Sequence, residues 1–343
     1  MTRTSLSRTA RLGVLAAVLM TLLTACAGAR ATTTGPAPVP ASVSADELAA
    51  VTLKIGDQKA GLEALLKAAG EDDAPYTVEW SNFTSGPPLL EAAAANAIDV
   101  GTVGNTPPIF AGAAKSPVTV VSASRYNGKA DAILVPADSP ATTLADLKGK
   151  TVAVAKGSSA HGHLLLALLQ AGLSPEDITI SYVAPSDGYA ALQNGAADAW
   201  VVWDPYTTAA THEIKARILD DGEGLTNGLG FQVASNDSLG DPGKNAAISD
   251  LVVRTARAYQ WAEQHPDEWG KVYAAETGLS EEITQEMARR SPKQPILLDD
   301  TVVADTQKLA DALAENGFIP AGFDFSTIVD RRYNDAVSTV IGQ

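Results

Sequence analysis

Cysteine is almost absent from the 343-residue chain, which holds one, Cys26. An intramolecular disulfide framework and a multi-cysteine metal site are thereby excluded. Histidine is scarce as well: His161, His163, His212 and His265 are the full set. His161 and His163, two apart on a helix, would face different directions, so they do not form a metal site. Positive charge is in deficit, with 25 Lys and Arg against 40 Asp and Glu and a formal charge of −15. So acidic a surface repels nucleic acid, but a small ligand meets only the local field of its pocket. Catalytic signatures are missing too: no Gly-x-Ser-x-Gly elbow, His-Glu-x-x-His helix, P-loop or dinucleotide fingerprint occurs. Ser158, His161 and Asp204 can be drawn as a triad, yet Ser158 and His161 sit on one helical turn and each has a simpler task. These lacks argue against an enzyme and imply no cofactor and no metal; an exported enzyme is the competing class.

Long apolar runs are also missing, except near the start, where "MTRTSLSRTARLGVLAAVLMTLLTACAG" sets Arg3, Arg8 and Arg11 before an apolar stretch from Leu12 to Leu23. The stretch is shorter than the roughly 20 residues a membrane-spanning helix needs, and basic-then-apolar is the pattern of an export signal. Leu23-Thr24-Ala25-Cys26 resembles the lipobox of bacterial lipoproteins, which implies a signal peptide over 1–25 and a lipid on Cys26, so the chain is expected on the outer face of the cytoplasmic membrane. Losing that leader makes the charge three units more negative. "AGARATTTGPAPVPASVSA" then reads as a flexible tether over 26–45. From Asp46 the remaining length suits two domains or one large one.

What fills that length is alternation. "VTLKIG", "YTVEWSNF", "IDVGTVG", "VTVVSAS", "DAILVP", "TVAVAKG", "ITISYV" and "DAWVVWD" read as strands, whereas "LEALLKAAG", "PPLLEAAAANA", "HLLLALLQAGL" and "GYAALQNGAA" read as helices. The pattern predicts α/β layers with mostly parallel sheets. From Asn245 onward the periodicity is helical, in "AAISDLVVRTARAYQWAEQHPDEWGKVYAAETG" and "TVVADTQKLADALAENGF". Two sheet-centred lobes follow, the last third packing back on the first.

Open α/β sheets bind ligands beyond the carboxyl ends of their strands, near helix N-termini. Four such junctions are rich in small or turn-forming residues: Gly56-Asp57-Gln58-Lys59, Ser85-Gly86-Pro87-Pro88, Gly104-Asn105-Thr106-Pro107-Pro108 and Lys156-Gly157-Ser158-Ser159. Each has an ordinary explanation, Pro at a first helical position or Asn, Thr and Ser as caps. Together they predict a polar cleft between lobes. Asp204 before Pro205 reads as the cap of "PYTTAA", Trp203 as either core or cleft wall, and Arg125 as a solvent-exposed cation near a strand end.

Those stretches carry a family resemblance. "IGDQKAGLEALLKAAG", "VEWSNFTSGPPLLEAAAANAIDVGTVGNTPPIFAGAA", "TTLADLKGKTVAVAKGSSAHGHLLLALLQAGL" and "ALQNGAADAWVVWDPYTTAA" are similar, in order, to blocks of the aliphatic-sulfonate-binding proteins of ABC importers, within the nitrate, sulfonate and taurine group. The resemblance implies a type II periplasmic-binding-protein fold, two α/β lobes joined by two hinge strands, "DAILVP" and "LGFQVAS". Lobe one would be 46–136 plus 232–343, and lobe two 137–231. It implies a monomer that hands an alkanesulfonate to a permease and its ATPase, with taurine, nitrate or a thiamine-pyrimidine precursor as alternative ligands. The family pattern carries over at Gln58, Gly86, Pro87, Thr106, Ser158, Ser159, His161, Trp203 and Asp204. Asn105 stands where relatives often have Asp, which removes a charge beside the anion. Physically, Ser158 and Ser159 at a helix start supply donors to a permanent anion, Asn105, Thr106 and Gln58 supply more, Gly86 permits close approach, and Trp203 covers the organic tail.

Overall fold

The computed structural model describes residues 38–59 and 61–342; the expected export signal and Cys26 lie outside the described residues. The expected tether is described only from residue 38, without regular structure up to Ser44. Ser44 and Glu47 then form a reciprocal capping box at α1, Ala45–Ala49, pairing backbone N–H groups that a helix start leaves open.

Eleven strands are found among the described residues: β1 Thr52–Gln58, β2 Thr77–Phe83, β3 Val100–Gly104, β4 Val118–Arg125, β5 Ala132–Val135, β6 Thr151–Val154, β7 Thr179–Tyr182, β8 Ala199–Val202, β9 Arg217–Asp221, β10 Leu229–Ser235 and β11 Gln294–Ile296. Between and after them run α2 Gly61–Ala69, α3 Gly86–Ala94, α4 Pro107–Ala113, α5 Ser159–Gln170, α6 Pro185–Gln193, α7 Tyr206–Glu213, α8 Asn236–Gly240, α9 Pro242–Gln264, α10 Pro266–Thr277, α11 Glu281–Arg290, α12 Asp300–Glu315 and α13 Asn334–Ile341. All eight strands read from the sequence are present.

The strands form two sheets, ordered β11-β4-β10-β3-β1-β2 and β7-β6-β8-β5-β9. Both are mixed, where mostly parallel sheets were expected. β1 runs parallel to β2 and β3, and β6 to β7 and β8, but β10 and β5 run antiparallel to the neighbours on both their sides. These two are the strands that enter each sheet after the chain has crossed from the other.

Where the chain crosses also differs from expectation. β5, half of the expected hinge, lies wholly in the second sheet, and β10 lies wholly in the first. The crossing segments are instead 126–131 and 222–228, so the boundary expected at 136/137 falls at the end of β5 and that at 231/232 inside β10. Every residue of both strands is buried, so neither burial nor periodicity tells which sheet they join. The crossings lie against each other: the Tyr126 N–H donates to the Gly228 carbonyl at 2.8 Å and the Gly222 N–H to the Asp131 carbonyl at 3.1 Å. A Cβ on Gly128 would stand 2.4 Å from the Gly222 carbonyl oxygen, and one on Gly228 2.2 Å from that of Tyr126, so only glycine fits.

Each sheet is covered on both faces. Leu89, Ile109, Phe231, Leu313 and Phe325 pack on one side of the first, and Leu53, Ile55, Leu65, Ile248 and Leu251 on the other. The second has Ile133, Val152, Leu164 and Leu168 on one side and Leu134, Leu192 and Trp200 on the other. Leu165 of α5 belongs to the first sheet's core, so the two halves share apolar contact where α5 meets α12.

Candidate functional site

A cavity of about 220 Å³ lies between the sheets, beyond the carboxyl ends of β1, β3 and β8 and against the start of α5. Gln58, Gly86, Ser158, Ser159, Trp203 and Asp204, among the residues read from the sequence, line it. Pro87, Asn105, Thr106 and His161 stand behind that wall. Pro87 abuts Gly157, and Asn105 donates to the Asn227 side chain at 2.8 Å while accepting from the Thr106 hydroxyl at 2.9 Å. Asn105 thus holds the second crossing segment.

The four junctions do not offer the same chemistry. At the first, the buried Asp57 carboxylate accepts from the N–H groups of Gln58, Leu62 and Glu63 at 2.7–3.0 Å, which closes the start of α2 to any other anion. Burial raises the Asp57 carboxyl above its usual range, against the pull of those amides. At the third, Pro107 and Pro108 open α4 and carry no N–H, and at the second Pro87 and Pro88 leave Gly86 as the donor of that turn. The fourth is open. Ser158 caps α5, its hydroxyl accepting from the His161 N–H at 3.3 Å and donating to the Ala155 carbonyl at 2.7 Å, while its own N–H goes to Ala155 as well. The N–H groups of Ser159 and Ala160 have no protein acceptor among the described residues, at the positive end of a 12-residue helix.

Ser158 was expected to offer its hydroxyl to an anion, and its donor is taken by Ala155. The Ser159 hydroxyl is engaged too, donating to Asp131 Oδ1 at 2.8 Å, with Asp131 Oδ2 accepting from the Tyr126 hydroxyl at 2.7 Å. Burial and the adjacent carboxylate push the Tyr126 phenol far above its usual range, so it stays a donor.

His161 is a wall residue. Its Nδ1 accepts from the Gly157 N–H at 3.1 Å, which leaves Nε2 as the protonated nitrogen, 3.3 Å from the Tyr182 hydroxyl. The ring packs against Phe110 and edge-on to Phe318 and Tyr182, and burial lowers its pKa to about 4, so at neutral pH it carries no charge. Trp203 fits both readings given to it, lining the cavity and packing partly buried on both cores of the second sheet. Asp204 was expected as the N-cap of α7, a place that Pro205 takes; from one position earlier its Oδ1 accepts from the Thr208 N–H and hydroxyl at 2.9 and 2.6 Å, and burial pushes its carboxyl up to about 6. Arg125 lies 3.9 Å from Asp305 and is 42% exposed, away from the cavity.

Lys59 of the first junction also lines the cavity, as do Tyr126, Asp131, Trp269, Tyr273 and Lys293, which the sequence did not single out. Lys59 Nζ lies 6.0 Å from the Tyr206 ring centre and Lys293 Nζ 5.8 Å from that of Tyr259, both within cation–π range. Lys59 adjoins Gln58, so its place was foreseeable; Lys293 arrives from the far end of the chain.

Residues 58–223 match the family described as "ABC transporter, phosphonate, periplasmic substrate-binding protein". An Escherichia coli protein named for aliphatic-sulfonate binding is 36% identical over 277 residues, 79% of this chain and 86% of the relative. Among solved structures, the alkanesulfonate-binding protein SsuA from Xanthomonas axonopodis pv. citri, bound to MOPS, is 32% identical with a TM-score of 0.75, over 85% of this chain and all of that one. The desulfurization enzyme DszB, at 17% identity and a TM-score of 0.59 over 84% of this chain and 99% of its own, shares the fold alone. A mixed two-sheet architecture with a cavity at the strand ends, and more than a third of the residues in common with a relative across most of both lengths, establish that this chain belongs to the periplasmic substrate-binding proteins of ABC transporters.

Proposed function

We propose that the chain is the extracytoplasmic substrate-binding component of an ABC importer and that it captures aliphatic sulfonates in the cavity between its two halves. The observation that carries this reading is the open start of α5, where Ser159, whose N–H has no protein acceptor among the described residues, stands in a cavity wall that also holds Lys59 and Lys293. A sulfonate is a permanent anion with three acceptor oxygens, and it needs such donors and no proton exchange. The binding set falls into two tiers. Gln58, Gly86, Ser159, Trp203 and Asp204 face the ligand, and Pro87, Asn105, Thr106, Ser158 and His161 keep that wall in place. The segments through 131 and from 229 onward act as lobe one and the segment between them as lobe two, hinged at the paired crossings. Lipid on Cys26 anchors the monomer to the membrane face where the permease and ATPase take over its cargo, and the ligand leaves unchanged.

Calorimetry of the purified full-length chain against methane- and butanesulfonate, taurine, nitrate and methylphosphonate tests the reading. Sulfonates should bind, nitrate and the more highly charged phosphonate should bind more weakly, and the sulfonate should be recovered intact. Absence of sulfonate binding, or its conversion, overturns the assignment. Anchoring is tested separately: Cys26→Ala should leave the membrane fraction or stay unprocessed, and equal retention refutes the lipid.

A further inference from the structure

The first crossing, 126–131, gathers more contacts than a passage between two sheets requires. At its far end the Ala130 carbonyl accepts from the Asp204 N–H at 3.0 Å and the Thr207 hydroxyl at 3.1 Å, and the Asp131 carboxylate accepts from the Ser159 hydroxyl at 2.8 Å. The segments that lead into α5 and α7, both lining the cavity, are thereby pegged to two adjacent residues. From the first half, Arg290 at the end of α11 donates its Nε to the Lys129 carbonyl and accepts at its own carbonyl from the Asn127 side chain, both at 2.9 Å.

Asp131 stands at the centre of these contacts. It is 2% exposed and forms no ion pair among the described residues, so its carboxylate is answered by two hydroxyls, those of Ser159 and Tyr126. A buried charge without a cation is costly, and here both oxygens are committed to different elements. The backbone bonds between the crossings are rungs, each at one end: Tyr126 with Gly228 beside the first sheet, Gly222 with Asp131 beside the second. Neither spans the bend between the sheets. The Tyr126 hydroxyl does, since its 2.7 Å bond to Asp131 Oδ2 joins the residue after β4 to the residue before β5. A hydrogen bond tolerates only a few tenths of an ångström in length, so rotation of the halves about the crossing, which changes the distance between its ends, breaks it. The bond favours the bend present here, in which α5 meets α12.

We infer that Asp131 is the positioning residue of the hinge: through Tyr126 it sets the bend of the first crossing, and through Ser159 it ties the start of α5 to that bend, so the α5 donors reach the ligand at one angle between the halves. It acts through these two partners rather than on the ligand. The inference rests on the reading of the cavity as the ligand site and adds the device that sets how the halves close on it. Losing the Tyr126 bond lowers the fraction of free chain already bent for binding, and apparent affinity falls by that fraction whatever the ligand's tail.

Two variants of the full chain test it, by X-ray scattering without ligand and by calorimetry with methane- and butanesulfonate. Tyr126→Phe removes one hydroxyl and keeps the ring. It should enlarge the radius of gyration of the free chain and weaken both sulfonates by the same factor, at least fivefold, while saturating butanesulfonate restores the wild-type liganded radius. Asp131→Asn keeps the shape and both contacts, because the amide oxygen accepts from Tyr126 and the amide nitrogen donates to the Ser159 oxygen. It should keep the wild-type free radius and, with a carboxylate gone from the wall, bind both sulfonates more tightly. A purely structural bond would lower the melting temperature of Tyr126→Phe and leave free radius and affinities as in wild type, which overturns the inference. So does weakening of one sulfonate alone in Tyr126→Phe, or a free Asp131→Asn chain as open as Tyr126→Phe. Failure of the wild type to bind either sulfonate sinks the sulfonate reading, while scattering of the free chains, which needs no ligand, still decides the hinge.

Discussion

Ser158 and Ser159 are neighbours of the same type, and the fold gives them different work. Ser158 is buried, its hydroxyl closing a turn between Ala155 and His161; Ser159 faces the cavity and ties Asp131. Ser158→Ala should therefore lower stability by about 1 kcal/mol, as for other helix caps, with little change in sulfonate affinity. Ser159→Ala should do the reverse. It leaves Asp131 Oδ1 without its donor and turns an uncompensated carboxylate toward the anion, at a cost to binding of about 1–3 kcal/mol for every sulfonate. Paired denaturation and calorimetry separate the two, and equal affinity losses in both variants would refute the division. The sequence identified this Ser pair because a strand ending in Lys-Gly-Ser-Ser is legible as a helix start. It did not assign the hydroxyls, whose partners Ala155 and Asp131 are fixed by how the chain closes on itself. Lys293 shows the same limit more sharply, since nothing near it in sequence marks a cleft residue.

At the scale of elements, the legible pieces were those with long apolar periodicity. β9, "RILDD", and β11, "QPI", were not expected, because both are edge strands too polar or too short to show alternation. α11, "EEITQEMARR", keeps only Ile283, Thr284 and Ala288 buried, so its helical stripe is thin. The helix starts around the cleft carry a further property that composition hides, a pair of opposed titrations. In the first turn of α5, His161 has a pKa lowered to about 4, so unfolding lets it take up a proton below about pH 6.5. Stability from this source is lost as the pH falls from about 6.5 to 4. Asp204, before α7, has its pKa raised to about 6, so the folded chain holds a proton that the unfolded chain refuses until about pH 4. Stability from this source is gained across nearly the same window. Each contributes about 1–2 kcal/mol between pH 7 and 5, with opposite sign. Relative to wild type over that interval, His161→Gln should gain stability and Asp204→Asn should lose it. Urea denaturation at the two pH values checks this, and variants that parallel the wild type would show that the two groups do not titrate as described.

For the whole molecule, the two-lobe division was readable from the alternation of strands and helices, but not where the chain passes between sheets. That passage depends on Gly128, Gly222 and Gly228, which let two crossing segments lie backbone to backbone, and on Asn105, which fastens Asn227 from the first half. The two halves also meet at the cavity itself. A Cβ on Gly104 would lie 2.8 Å from Ser159 Cβ, and one on Gly162 of α5 would lie 2.3 Å from Thr106 Oγ1. Neither glycine has a positive φ, so each is small because the opposite half comes close, not because its own backbone demands it. Gly162→Ala is then a wedge: it leaves α5 helical, since alanine is the better helix former, while pushing the start of α5 away from Thr106 and the cavity's far wall. If ligand is held by groups from both halves, that wedge should weaken every sulfonate at least tenfold and keep the radius of gyration from shrinking on addition of saturating ligand. The thermal stability of the unliganded chain should change far less than the affinity, because the second half keeps its own two cores. X-ray scattering and calorimetry on the same samples decide the matter: compaction and affinity equal to wild type would mean that Gly162 and Thr106 do not mark the surface on which the halves close.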